Sequence, residues 1–268
     1  MKSLEMYQKL ARLIVRRGLN VQKGQPVVIK IDVRHHDFAD MLVKEAYEAG
    51  AKTVEIDWKD PVLTTCRTLY EDEETLCDVP QWMYDQIRTR QDNGVCSVSV
   101  LSTSPDCFKD ADHAKMAKMN IAVSKKTKDL SSYFMNNIGQ WCVVGIPDIQ
   151  WAKSLFPELS EEEAFEKLEN AIFEVSRVDE EHDPVETWEK HDATLVENAK
   201  KMNAYAFDSL HFTSELGTDI TVGLVKNHIW AGGNGATPEG VVFDILSNDL
   251  LWSKHSKIWH LYVYSCHV

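Results

Sequence analysis

The stretch from Val27 to Trp58 narrows the choice of folds more than any other part of the chain. Val27 to Ile31 (VVIKI) is a β-branched run behind a Lys-Gly-Gln-Pro turn, which predicts a strand. From His36 to Ala49, Phe38, Met41, Leu42 and Ala46 recur at helical spacing, and Gly50 stands where helices commonly end. Thr53 to Trp58 predicts a second strand. Strand, helix and strand within 32 residues form a crossover unit, so the two strands run parallel with a right-handed connection.

The alternation continues on both sides. Leu10, Leu13, Ile14 and Arg17 mark a helix over 4–17, with Gly18 expected as its stop. Asp60-Pro61 opens another helix, and Val79-Pro80 precedes one running through Ile87. Asn93-Gly94 turns the chain into a third strand, Val95 to Leu101. A helical stretch rich in Lys and Met covers about 111–130, and Trp141 to Ile146, closed by Pro147, predicts a fourth strand. Ser160 and Glu163 form a capping box before a helix whose inward positions are read as Phe165, Leu168, Ile172 and Val175. Together these predict a layered α/β domain with a largely parallel sheet over residues 1–178. The acidic Asp179-Glu180-Glu181 marks a domain boundary. Asp183, Pro184 and Glu186 then read as a helix start, and Val185, Trp188, Leu195, Ala199 and Met202 give that helix one apolar face. Leu210/Phe212 and Ile220/Val222/Leu224 alternate with polar residues on either side of Gly217, a β-hairpin pattern with a turn longer than two residues.

At 268 residues the chain has room for one large domain or two modest ones. A net charge of -13 argues against a nucleic-acid partner, because phosphate binding needs clustered Lys and Arg. No apolar run reaches the length of a membrane span, and the N-terminus lacks the apolar core of a signal peptide, so no membrane partner is expected. Six cysteines (66, 77, 96, 107, 142 and 266) contain no CxxC pair and sit in apolar patterns, which predicts reduced thiols in a cytoplasm.

Three groups could carry chemistry. His35-His36 follows the first strand, where open α/β sheets place ligands, but adjacent side chains diverge there; they are read as surface or helix-start residues. Ser102-Thr103-Ser104, at the matching end of the third strand, is read as capping chemistry rather than an anion site. Gly232-Gly233-Asn234-Gly235 fits neither a dinucleotide fingerprint nor a P-loop. GxSxG and HExxH are both absent, and no cysteine sits in a nucleophile's context.

Several segments in order resemble one family. Gly18–Ile29 (GLNVQKGQPVVI), Glu45–Trp58 (EAYEAGAKTVEIDW), Phe156–Leu168 (FPELSEEEAFEKL), Asp183–His191 (DPVETWEKH), Leu216–Gly233 (LGTDITVGLVKNHIWAGG) and Thr237–Phe243 (TPEGVVF) are similar to aminopeptidases of the S/T type, the thermophilic dinuclear metallo-exopeptidases. The likeness runs from Met1 to about Phe243. It implies hydrolysis of the N-terminal residue of a peptide, two divalent metal ions (zinc, cobalt or magnesium) and a homodimer. The implied ligands are two glutamates, two histidines and an aspartate in the C-terminal domain. The first of these glutamates falls in an Asn-(Ile/Met/Leu)-Pro-Thr-Glu-Glu-Val-Phe segment soon after the position of Phe243.

Here the sequence departs from the pattern. It reads Asp244-Ile245-Leu246-Ser247-Asn248-Asp249-Leu250-Leu251, without Thr-Glu-Glu. No metal ligand or catalytic residue can be carried over, and Glu215 and Glu239 precede the motif. The chain is therefore expected to bind no metal and to be inactive alone: an α/β domain (1–178), an incomplete α+β catalytic domain of one helix and a hairpin (179–243), and a divergent tail (244–268). A frameshift or premature stop is the expectation for that tail, with its Trp252, Trp259, Tyr262 and Tyr264. The rival, a new metal site from His255, His260, His267 and Cys266, has spacings unlike zinc patterns. A non-catalytic binding or dimerisation module built from the N-terminal domain is the alternative function.

Overall fold

The computed structural model describes residues 2–232, 234–244 and 246, together with the backbone of a strand at 262–264. The tail's candidate residues, His255, His260, His267 and Cys266, lie outside these, as does Gly233.

Ser3 caps the first helix, α1 (Leu4–Leu13), accepting from Met6 N, and buries Leu10 and Leu13. The helix continues as a π turn, Ile14–Gly18, in which Leu19 N donates to Ile14 O at 2.7 Å. Gly18 is not the left-handed stop expected; Asn20, with φ 44°, makes that reversal. Gly18 is needed for a different reason: a Cβ there would sit 2.8 Å from Leu246 Cδ1 and 2.9 Å from Cys142 Sγ.

Then come β1 (Pro26–Asp32), α2 (His36–Glu48) and β2 (Thr53–Lys59), the expected crossover, with β1 and β2 parallel in the register Val28 to Glu55. Gly50 has φ 100°, as a helix-ending glycine should. After α3 (Pro61–Tyr70), α4 (Glu73–Cys77) and α5 (Gln81–Asp92) come β3 (Cys96–Leu101), α6 (His113–Lys126), α7 (Ser132–Met135) and β4 (Trp141–Gly145). The parallel sheet has the order β2-β1-β3-β4. Val27, Ile29 and Ile31 of β1, with Val98, Val100 and Val144, cover one face of it. Leu10, Leu13, Phe38 and Leu42 of α1 and α2 pack in the same core.

Next are α8 (Ile149–Leu155) and α9 (Glu161–Val175), the latter with both halves of the Ser160–Glu163 capping box. Its buried face is Ala164, Leu168, Ile172 and Phe173, while Val175 is only half-buried. The shift arises because α9 serves two cores: Leu168 and Ile172 meet Trp151 of α8, and Phe173 joins the main core.

The long helix α10 (Pro184–Tyr205) starts as expected, with Asp183 accepting from Val185 N and Glu186 N and Pro184 in the first turn. Its Trp188 enters the main core. The preceding acidic turn is held to α1: Lys9 Nζ donates to the carbonyls of Asp179 (2.9 Å), Glu180 (2.7 Å) and His182 (3.3 Å). The hairpin follows as β5 (Ser209–Thr213) and β6 (Asp219–Gly223), with Leu210 opposite Val222 and Phe212 opposite Ile220. Gly217 turns it at φ 91°. Short strands β7 (Ile229–Ala231), β8 (Asn234–Ala236) and β9 (Val242–Asp244) complete this region; β8 pairs with β9, and β7 with β10 (Tyr262–Tyr264), both antiparallel.

Candidate functional site

In the order β2-β1-β3-β4 the chain winds one way from β1 and the other way from β3, so the switch point falls between these two central strands. Ligands of open α/β sheets sit beyond the carboxyl ends at such a point. Asp32 ends β1 there, buried to 2% exposure. Its carboxylate accepts from Arg34 N at 2.9 Å and from the same guanidinium twice, Nε at 3.0 Å and Nη2 at 2.8 Å. Burial pushes the Asp32 carboxyl upward, but the Arg34 hydrogen bonds win and hold it below the usual range.

Arg34 Nη1 also approaches Asp148 Oδ2 at 3.3 Å, so one cation bridges two carboxylates. Asp148 caps α8, its Oδ1 accepting from Gln150 N and Trp151 N. His35 faces the same carboxylate, its Nε2 3.7 Å from Asp148 Oδ2, too far for a hydrogen bond. That nitrogen is buried without a partner among the described residues. Burial lowers the imidazole's pKa, against the pull of Asp148 and Asp32, so His35 is neutral near pH 7. His36 is exposed, beside Asp37. The two histidines therefore diverge, as read from their adjacency.

The serine triplet divides. Ser104 Oγ accepts from Asp106 N and caps the short 3-10 turn Pro105–Phe108, the expected capping role. Ser102 caps nothing: it is 1% exposed and its Oγ has no partner among the described residues. The cluster thus combines two carboxylates with one guanidinium and a neutral imidazole whose Nε2 has no partner among the described residues. It could hold a hydrogen-bonding group. Among the described residues no group of three or more His, Cys, Asp or Glu side chains is placed to hold a metal ion. Glu215 and Glu239 are both exposed.

A second charged cluster joins the two halves of the chain, and sequence reasoning missed it. Arg17, carried by the π turn, donates from Nη2 to Asp192 Oδ2 at 2.8 Å and pairs through Nε with Asp244. Asn234 Nδ2 adds a 2.6 Å bond to Asp192 Oδ2. Asp244 is fully buried; burial pushes its carboxyl up to about 7, opposed by Arg17 and reinforced by Asp192. The signal was available: Asp192 falls four residues after Trp188, in the stripe of α10 that should be apolar. A buried acid in such a stripe needs a cation. Nearby, the Asn203 side chain donates from Nδ2 to Trp230 O and accepts at Oδ1 from Trp230 N, both at 2.8 Å, fixing β7 to the end of α10. Gly232 lies beside this helix, with the site of a Cβ in ordinary contact with Leu195 O at 3.5 Å, and Asn234 and Gly235 fall in strand β8.

Comparison with known proteins places this arrangement. Residues 4–245 match the family model described as thermophilic metalloprotease (M29). The chain is 35% identical over 233 residues to aminopeptidase AmpS of Bacillus subtilis, a match covering 87% of this chain and 56% of the relative. It is 34% identical over 233 residues to aminopeptidase T of Thermus thermophilus, covering 87% of this chain and 57% of that one. The solved structure of wild-type AmpT from Thermus thermophilus superposes with a TM-score of 0.81 at 31% identity, covering 90% of this chain and 59% of that one. The chain therefore spans little more than half the length of these relatives.

Proposed function

Since the chain belongs to the thermophilic metalloprotease (M29) family, we propose that its fold is the N-terminal layer and the opening of the catalytic domain of a metal-dependent aminopeptidase, a hydrolase acting on the N-terminal residue of peptides. The observation that carries this reading is the unbroken match over residues 4–245 joined to the superposition on AmpT. The boundaries 1–178, 179–243 and 244–268 follow the acidic turn before α10 and the loss of resemblance after Phe243. Five cysteines, at 66, 77, 96, 107 and 142, are free thiols, which supports a reducing, cytoplasmic setting.

The family's chemistry rests on two divalent ions, zinc, cobalt or magnesium, that activate water and polarise the scissile carbonyl. The described residues do not fit that pair, so no step of hydrolysis is assigned to them. Asp244 to Leu251 stand where a Pro-Thr-Glu-Glu segment is expected, which supports reading this 268-residue polypeptide as inactive alone. The test is incubation of the purified chain with zinc, cobalt or magnesium and amino-acid p-nitroanilides, with metal analysis after dialysis. We expect no turnover and well under one ion per chain; turnover, or two tightly held ions, overturns the reading.

One observation favours a second reading, a docking or dimerisation module. The apolar face of the hairpin is open, with Phe212 49%, Ile220 51% and Val222 43% exposed. A homodimer detected by native mass spectrometry of the inactive chain would support it, and a strict monomer would oppose it.

A further inference from the structure

The sheet face opposite α1 and α2 holds a cavity of about 260 Å³, bounded by β1, β2, β3, α5 and the segment Leu130–Phe134. Strands of a covered parallel sheet are ordinarily apolar on both faces. Here β1 and β3, the two central strands, are not. Lys30 and Ser97 line the cavity beside Asp57 of β2, on the face set by the registers Lys30 to Asp57 and Val28 to Ser97.

Asp57 is already engaged. Arg90 donates to both of its oxygens, Nη1 to Oδ2 at 2.9 Å and Nη2 to Oδ1 at 2.8 Å, and also reaches Glu55 Oε2 from Nε at 3.0 Å and Nη2 at 2.7 Å. The Arg90 charge is therefore met by two carboxylates. The Lys30 ammonium is not met: among the described residues it has no hydrogen bond and no carboxylate at ion-pair distance, and Nζ lies 5.9 Å from the centroid of the Phe134 ring. Lys30 is half-buried, and a lysine drawn this far out of water ordinarily keeps a partner. Burial lowers its pKa, with Asp57 opposing and Lys59 and Arg90 adding to the fall, as expected for an ammonium that lacks a bound anion. Ser97 Oγ is likewise buried, in a residue 6% exposed, with no partner among the described residues. The remaining wall is mostly apolar, formed by Val28, Ile87, Val95, Leu130 and Phe134, with the polar side chains of Gln91, Thr127 and Ser131 among them.

We propose that this cavity binds a small monocarboxylate with an apolar body, its carboxylate pairing with the Lys30 ammonium beside Ser97 and its body lying against Ile87, Leu130 and Phe134. One unmet cation selects one negative charge, so a carboxylate suits the site better than a phosphate dianion. A volume of about 260 Å³ equals roughly nine waters at about 30 Å³ each, room for a ligand of on the order of ten heavy atoms. The site is independent of the peptidase reading, because it uses none of the residues in the two clusters described above.

The experiment is isothermal titration of the whole chain at pH 7 with 3-phenylpropanoate, its neutral amide and benzylphosphonate, repeated on the Lys30→Met variant. Wild type should bind the acid saturably, the amide at least tenfold more weakly and the phosphonate no more tightly, and the variant should lose at least tenfold for the acid. Absent or non-saturable binding of the acid, equal binding of the amide, tighter binding of the phosphonate, or an unchanged variant overturns the proposal. Should Lys30→Met fail to fold, ¹³C-methylated lysine signals of wild type decide. Addition of the acid should raise the titration midpoint of the Lys30 amine, and an unmoved midpoint overturns the assignment.

Discussion

Asp244 is the side chain on which stability should depend most visibly on pH. Its carboxyl titrates near 7 in the folded chain, against 3.8 without the fold. Between those values the folded state keeps a proton that the unfolded state has shed, so this group's contribution to stability falls as pH rises from about 4 to 7 and is level above. The urea midpoint should accordingly drop between pH 5 and pH 8, and Asp244→Asn should flatten that slope. A slope identical in the variant would show that other groups set it. Asp192 and Asp244 also show the limit of reading residues from sequence. Asp192 is marked in the sequence only by its place in the α10 stripe, and Asp244 not at all, until Arg17, 175 positions before Asp192, is brought against both.

Helix α10 is the element that sequence rendered most fully, and its energetics can be tested in two places. Asp183 accepts from Val185 N at 3.0 Å and Glu186 N at 3.2 Å. Replacing it with Ala should cost about 1 kcal/mol, the usual worth of such a cap. Trp188, 8% exposed in the main core, should cost about 3–5 kcal/mol on replacement with Ala. Both are read from chemical denaturation at one pH. Capping pairs, the Asp183-Pro184 start and the alternation in β5 and β6 were legible because they depend on neighbours within a few residues. The role of Gly18 in the π turn Ile14–Gly18 was not, because it depends on packing against Cys142 and Leu246 from far along the chain. Ser102 escaped for the same reason: its burial comes from the sheet, whereas the capping of Ser104 is local.

For the molecule as a whole, the crossover of β1, α2 and β2 was enough to anticipate a parallel sheet, yet not its order, since nothing in the alternation says on which side β3 joins. The cavity beneath Lys30 was hidden as well: a lysine between Ile29 and Ile31 reads as the outward residue of a half-covered strand. The open hairpin has a consequence at this scale. On the dimerisation reading, Phe212→Ser with Ile220→Lys removes its apolar pair and should weaken self-association by about tenfold or more, roughly 1.4 kcal/mol. Sedimentation velocity over a range of concentrations checks it, and unchanged association would place the contact elsewhere. Finally, a turn as acidic as Asp179 to Glu181 would by composition make a loose joint. A single ammonium from Lys9 instead gathers two of its backbone oxygens, and that of the adjoining His182, across about 170 positions of chain. The joint is thus tethered by the opening helix, and trimming the first ten residues would slacken a corner that belongs to the other end of the fold.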